Sequence, residues 1–186
     1  MKRVLVLLVT MFFLSGCSGG DVALKRAVVL RDTLLQSDGC TFETVITADY
    51  GQTLYTFTMS CQADSLGNLT FTVMEPQTIA GISGSISEDG GALTFDDQAL
   101  AFALLADEQL APVSAPWLFI KTLRSGYLRA CDPTDDGMRM IIDDSYAEDA
   151  LQLDIWVDDN DIPVWSEILW KGRRILSLEI KNFNYM

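Results

Sequence analysis

Histidine is absent from all 186 residues. Its absence excludes Ser-His-Asp and Cys-His catalysis, imidazole metal ligands and the usual proton shuttle near neutral pH. Positive charge is scarce: 13 Lys and Arg stand against 26 Asp and Glu, for a formal net charge of −13. Such a chain is repelled by nucleic acid and by anionic headgroups, so nucleic acid is not an expected partner. Lysine is rarer still. Beyond Lys2 only Lys25, Lys121, Lys171 and Lys181 occur, none in a context that promotes Ser/Lys chemistry. No apolar run approaches the ~20 residues of a comfortable bilayer span. The acidic groups Asp132/Asp135/Asp136, Asp143/Asp144 and Asp158/Asp159/Asp161 do not follow a calcium-loop spacing and read as solvated turns. With 26 acids, a carboxylate pair for glycoside hydrolysis can always be imagined, and nothing singles one out. The sequence therefore points to no catalytic residue, no metal and no cofactor.

What is present begins at the N-terminus. Lys2-Arg3 precede an almost wholly apolar stretch from Val4 to Leu14, followed by Leu14-Ser15-Gly16-Cys17. Basic start, short apolar core and small residues before a cysteine are the layout of a secretory signal peptide. The L-S-G-C tetrad resembles a bacterial lipobox. That resemblance implies cleavage after residue 16, lipidation of Cys17 and a short tether over residues 17–20. It also implies an extracytoplasmic protein, lipid-anchored to the cell membrane. The remaining 170 residues carry 11 basic and 26 acidic groups, a net charge of −15, and suffice for one domain with its own core.

The tethered part reads as one domain over residues 21–186. Leu24, Ala27, Val28, Arg31, Leu34 and Leu35 recur at helical spacing, which predicts a helix over 21–36. The period then falls to two. Cys40, Phe42, Thr44 and Ile46 alternate with polar or small residues, and after a turn at 49–52 so do Tyr55, Phe57, Met59 and Cys61. A hairpin centred on Tyr50-Gly51 sets Phe42 against Met59, Thr44 against Phe57 and Cys40 against Cys61. Leu69, Phe71 and Val73 continue that face, and short strands are expected over 81–87 and 91–105. Ser114 is placed to cap a helix from Ala115 to Ser125 that Gly126 ends, with Trp117, Ile120 and Leu123 facing the core. After an acidic loop, strands return at Met138–Ile142, at Leu151 to Val157, around Ile162, Val164 and Ile168, and at Leu176 to Ile180. Strands with one apolar and one Thr/Ser/Asp-rich face indicate an antiparallel sheet wetted on one side, its other side covered by the two helices.

The closing strands carry a resemblance. Leu153-Asp154-Ile155-Trp156-Val157-Asp158, then Ile162-Pro163-Val164, then Arg174 to Phe183 resemble the last strands of the LolA/LolB-like lipoprotein-carrier superfamily. The coarse likeness covers about 21–183. It implies a mainly antiparallel β fold with packing helices (α+β), a curved half-barrel plugged by helices. It also implies an apolar interior that holds acyl chains. On that footing Phe42, Ile46, Tyr55, Phe57, Met59, Phe71 and Val73 are candidate ligand-binding residues, and the expected function is non-catalytic binding of a lipid or lipidated ligand. The same seven residues also read as solid core. The chain would then be an anchored interaction or chaperone module of the cell envelope, with a protein partner and no small ligand. The hairpin register suggests a Cys40–Cys61 disulfide; pairing with Cys131, or three buried thiols, are the alternatives.

Overall fold

A computed structural model describes residues 19–49, 51, 54–95, 98–102, 105–106 and 109–186. The expected signal peptide and Cys17 lie outside the described residues. Helix α1 is Gly19–Gln36, so Gly19 and Gly20, expected in the tether, are helical. Six strands follow: β1 Gly39–Asp49, β2 Leu54–Asp64, β3 Leu69–Glu75, β4 Ser83–Ser87, β5 Gly90–Phe95 and β6 Gln98–Phe102. The strand expected over 91–105 is therefore divided. A two-residue ladder, β7 Leu105–Ala106 with β8 Gln109–Leu110, leads through a 3-10 turn at Pro112–Ser114 into α2, Ala115–Ser125. Five strands close the chain: β9 Tyr127–Thr134, β10 Gly137–Asp143, β11 Leu151–Asp158, β12 Pro163–Trp170 and β13 Arg173–Tyr185.

Eleven strands form one antiparallel sheet in the order β6-β5-β4-β3-β2-β1-β13-β12-β11-β10-β9. It comprises two meanders joined only where the last strand docks beside the first, Ile46 opposite Leu178 and Thr44 opposite Ile180. The edges β6 and β9 do not pair, so the barrel stays open. Helix α2 touches both β2 and β10. Those strands lie five positions apart, about 24 Å along a flat sheet. One helix reaches both because the sheet curves around it. The fold is thus an α+β half-barrel with its apolar face turned to two helices, and Phe119, Ile120 and Leu123 of α2 are fully buried there.

Four local expectations need correction. The buried stripe of α1 is Ala23, Ala27, Leu30 and Leu34; Leu24, Val28 and Leu35 point to solvent. Spacing alone admits either stripe. Arg31 selects this one by reaching over to donate from Nη2 to the carbonyls of Arg124 and Gly126, at 3.0 and 2.9 Å. Ser114 does not cap α2. It already has helical dihedrals, and its hydroxyl donates to Ala111 O at 2.6 Å within the 3-10 turn. Most of the segment after α2, Asp132 included, is the strand β9; of the expected acidic loop only Asp135 and Asp136 remain, as the turn into β10. β9 is an edge strand, where Pro133 is tolerated because one side of its backbone needs no partner. Finally, the β1–β2 hairpin is offset by two residues: Phe42 faces Cys61, Thr44 faces Met59, Ile46 faces Phe57 and Cys40 faces Ala63. Shifting by two leaves every side chain on its expected face, so the apolar pattern could not distinguish the two registers.

Candidate functional site

Two surfaces of the sheet can carry function, and the apolar one comes first. Of the seven residues expected there, six are in one layer: Phe42, Ile46, Phe57, Met59, Phe71 and Val73 are each no more than 7% exposed. Phe42 meets Phe119 of α2 edge-on at 5.8 Å between ring centroids and stacks on Phe183 of β13 at the same distance. Tyr55 is separate from them. It shares their face but lies at the hairpin end, 54% exposed, beside exposed Leu54. The layer extends into the second meander through Met138, Met140, Leu153 and Ile155. Methionines at Met59, Met138 and Met140 give it adaptable walls.

Polar atoms interrupt this layer. Thr44, Thr122 and Ser166 are buried, and their hydroxyls have no hydrogen-bond partner among the described residues. Thr44 lies opposite Met59 and Ile180; Ser166 lies opposite Ile155 and Leu178. Unpartnered hydroxyls in an apolar setting cost about 1–3 kcal/mol each.

The cover of the layer is tied at one end. Arg124, near the C-terminus of α2, donates from Nη1 to Leu34 O at 3.2 Å and from Nη2 to Ser65 O at 2.6 Å. Arg31 returns the tie from α1, as described above. Each arginine thus holds carbonyls at the end of the other helix, where the helix dipole favours a cation. Burial lowers the pKa of Arg31, with Cys131 nearby acting the other way. Among the described residues, no side-chain bond anchors the N-terminal end of α2 except the local one of Ser114.

The thiols do not form the expected disulfide: Cys40, Cys61 and Cys131 are free. The two-residue offset explains why. Cys40 and Cys61 become diagonal neighbours, at about 7–8 Å, whereas a disulfide holds Cα atoms at about 4.4–6.8 Å. Burial pushes Cys40 up to about 12, and burial followed by the neighbouring Cys40 raises Cys61. Burial raises Cys131 as well, with Asp132 adding to it and Arg31 opposing. None is poised as a nucleophile.

The second surface is the outer face of the sheet, which sequence reasoning passed over as simply wetted. A groove of about 690 Å³ crosses β5, β4, β3, β2, β1 and β13 there. Its floor is the backbone row Phe42, Cys61, Phe71 and Gly84, whose residues face one another across successive strands. One wall is the rung Thr41, Gln62, Thr70 and Ser85; the other is Glu43, Ser60, Thr72, Ser83 and Thr94. Asn184 extends the first rung opposite Thr41, and Asn182 bonds Glu43 at 3.3 Å to end the second. A bulge between Thr41 and Glu43 admits this arrangement, with Asn182 at φ 52°. Gly84 is required beneath, because a Cβ there would fall 2.7 Å from the ring of Phe71. The one available sequence signal was that Ser, Thr, Asn and Gln occupy these outward positions while the acids gather in turns.

The other half of the outer face differs in chemistry. There Asp154, nearly inaccessible, receives the guanidinium of Arg139 and a 2.8 Å bond from Gln152 Nε2. Arg139 also lies over the ring of Trp156 at 5.2 Å, and Arg174 pairs with Glu167 at 2.8 Å.

No protein-family model matches the chain, and no curated protein matches it in sequence. Solved structures do resemble it. An uncharacterised conserved protein from Thermus thermophilus is 11% identical with a TM-score of 0.48, over 86% of this chain and 87% of that one. A LolA superfamily protein from Nitrosomonas europaea is 11% identical with a TM-score of 0.44, over 86% and 93%. The lipoprotein LppX from Mycobacterium tuberculosis is 10% identical with a TM-score of 0.42, over 88% and 93%.

Proposed function

We propose that this chain is an extracytoplasmic protein, anchored through Cys17, that binds a lipid or lipidated ligand between the sheet and α2 without catalysing a reaction. The observation that carries the reading is the trio of unpartnered hydroxyls, Thr44, Thr122 and Ser166, in an otherwise apolar layer. A solid core favours apolar groups at such positions, whereas a layer that receives an esterified acyl chain needs polar atoms to meet its carbonyls. Helix α2 is the part that gives way. Its described hydrogen bonds to other elements lie at its C-terminal end, and its remaining ion pair, Lys121 with Glu88 at 3.9 Å, is exposed, so its N-terminal end can lift while the sheet stays intact.

A filled-core interaction module is the second reading, favoured by how closely the six apolar residues are covered. One experiment separates the two. Full-length protein from its membrane is examined by native mass spectrometry for bound lipid, and its binding of a fluorescent fatty acid is compared with that of Phe57→Asp. Phe57 is the least covered of the six and lies next to the exposed hairpin end, where a carboxylate can hydrate. The expected result is a lipid adduct in the parent and about tenfold weaker fatty-acid binding in a Phe57→Asp protein that still melts cooperatively. In a dry core an unpaired carboxylate costs several kcal/mol of a total of about 5–15. Unfolding of the variant, with no lipid on the parent, therefore establishes the interaction module instead.

A further inference from the structure

We infer that the outer groove is a second binding site, and that its ligand is an uncharged polyhydroxylated chain, a glycan strand lying across the strands. The groove is distinct from the apolar layer, from which the sheet itself separates it.

Charge narrows the ligand first. Among the outward side chains of the groove only Glu43 is charged, and Asn182 already engages it. This neutrality is unusual on a chain with 26 acids. An anionic ligand would meet the field of a strongly acidic protein, and a cationic one would find a single occupied carboxylate. An apolar ligand would find no apolar side chain in either wall.

Hydrogen-bonding capacity narrows it further. Both walls consist almost entirely of hydroxyls and carboxamides, groups that donate and accept at once. They fit a partner that does the same at short, regular intervals, as sugar hydroxyls and acetamido groups do. Side chains recur along each wall at the strand spacing, and the six strands span about 24 Å. The site therefore suits an extended oligomer rather than a single small molecule. An extended peptide fits less well. Peptides that dock on sheets pair their backbone along an edge strand, and this groove runs across the middle of the sheet.

The test is calorimetric titration of the full chain, extracted in a detergent without a sugar headgroup. The probes are tetra-N-acetylchitotetraose and cellotetraose, with an uncharged Ser/Gly peptide alongside. Ser60→Arg and Thr70→Arg fill the groove from opposite walls, and both positions are exposed enough to spare the fold. Asn184→Ala removes a contact without filling space, and Thr56→Arg, on the same face outside the groove, is the control. At least one glycan is expected to bind. Ser60→Arg or Thr70→Arg should weaken it about tenfold or more, Asn184→Ala a few fold, and Thr56→Arg not at all. No binding of either glycan at millimolar concentration, tighter binding of the peptide, or equal loss in the Thr56→Arg control overturns the assignment. Bound lipid in the apolar layer is scored separately by mass, so either site can fail without the other.

Discussion

Single residues set the turns of this fold. Lys171 and Gly172 connect β12 to β13 in two residues, both with positive φ, at 50° and 76°. That is the pattern of a type I′ hairpin turn, which Asn-Gly satisfies best. An ordinary side chain in the left-handed region costs about 1–2 kcal/mol. Lys171→Asn should recover part of this and raise the melting temperature by about 2–4 °C per kcal/mol recovered. Thermal unfolding followed by circular dichroism reads the shift. The turn between β2 and β3 depends on Asp64, whose Oδ1 accepts the backbone N–H groups of Leu66 and Asn68, both at 2.9 Å. Burial is the largest single influence and pushes its carboxyl up, but the Asn68 side chain and the backbone donors of Asn68, Leu66 and Gly67 together outweigh it and hold its pKa below the usual value. A depressed carboxylate stabilises the fold above its unfolded pKa of about 3.9 and ceases to do so as pH falls through the lower folded value. Hydrogen-exchange protection of Leu66 and Asn68 should therefore show no contribution from this group's titration above about pH 4 and should fall below it. Asp158 builds the β11–β12 turn likewise, accepting from Asn160 and Ile162, both at 2.9 Å.

At the scale of elements, the two arginine ties decide how firmly α2 closes the apolar layer. Bonds from charged donors contribute about 1.5–3 kcal/mol. Arg124→Ala should cost an amount in that range and expose the amides of α2 to exchange sooner than those of β1 or β13. Equal loss of protection across helix and sheet would mean that α2 does not open on its own. Legibility also varied by element. The existence of both helices, the first hairpin and the closing strands could be read because each has a sustained period of 3.6 or 2. The register of the hairpin could not, since a shift of two preserves the faces, and with it went the inference about Cys40 and Cys61. β9 was hidden because Tyr127-Leu128-Arg129-Ala130-Cys131 does not alternate and Pro133 argues against a strand. The apolar half of the candidate site was legible through Phe42, Ile46, Phe57, Met59, Phe71 and Val73. The groove was not, because it arises from side chains of six strands that become neighbours only once the register is fixed.

For the whole molecule, the decisive feature is that β13 joins the two meanders. Removing residues 173–186 deletes the partner of both β1 and β12, and Met186, which bonds Gly39 O and Asp38 N at 2.9 and 3.1 Å, goes with them. Such a truncated chain should lose cooperative melting altogether rather than show a lowered midpoint. Two transitions in the truncated chain would show instead that each meander is stable alone. The same arrangement has a consequence for biosynthesis. Chains emerge N-terminus first at about 5–20 residues per second, so β1 is finished roughly ten seconds before its neighbour β13 has been made. Throughout that interval β1 presents an unsatisfied edge, the kind of backbone template that recruits foreign strands. Completion must wait until β13 itself has been made. The growing chain thus passes through a half-built sheet, and protection of that edge during synthesis becomes as much a condition of the native state as any contact within it.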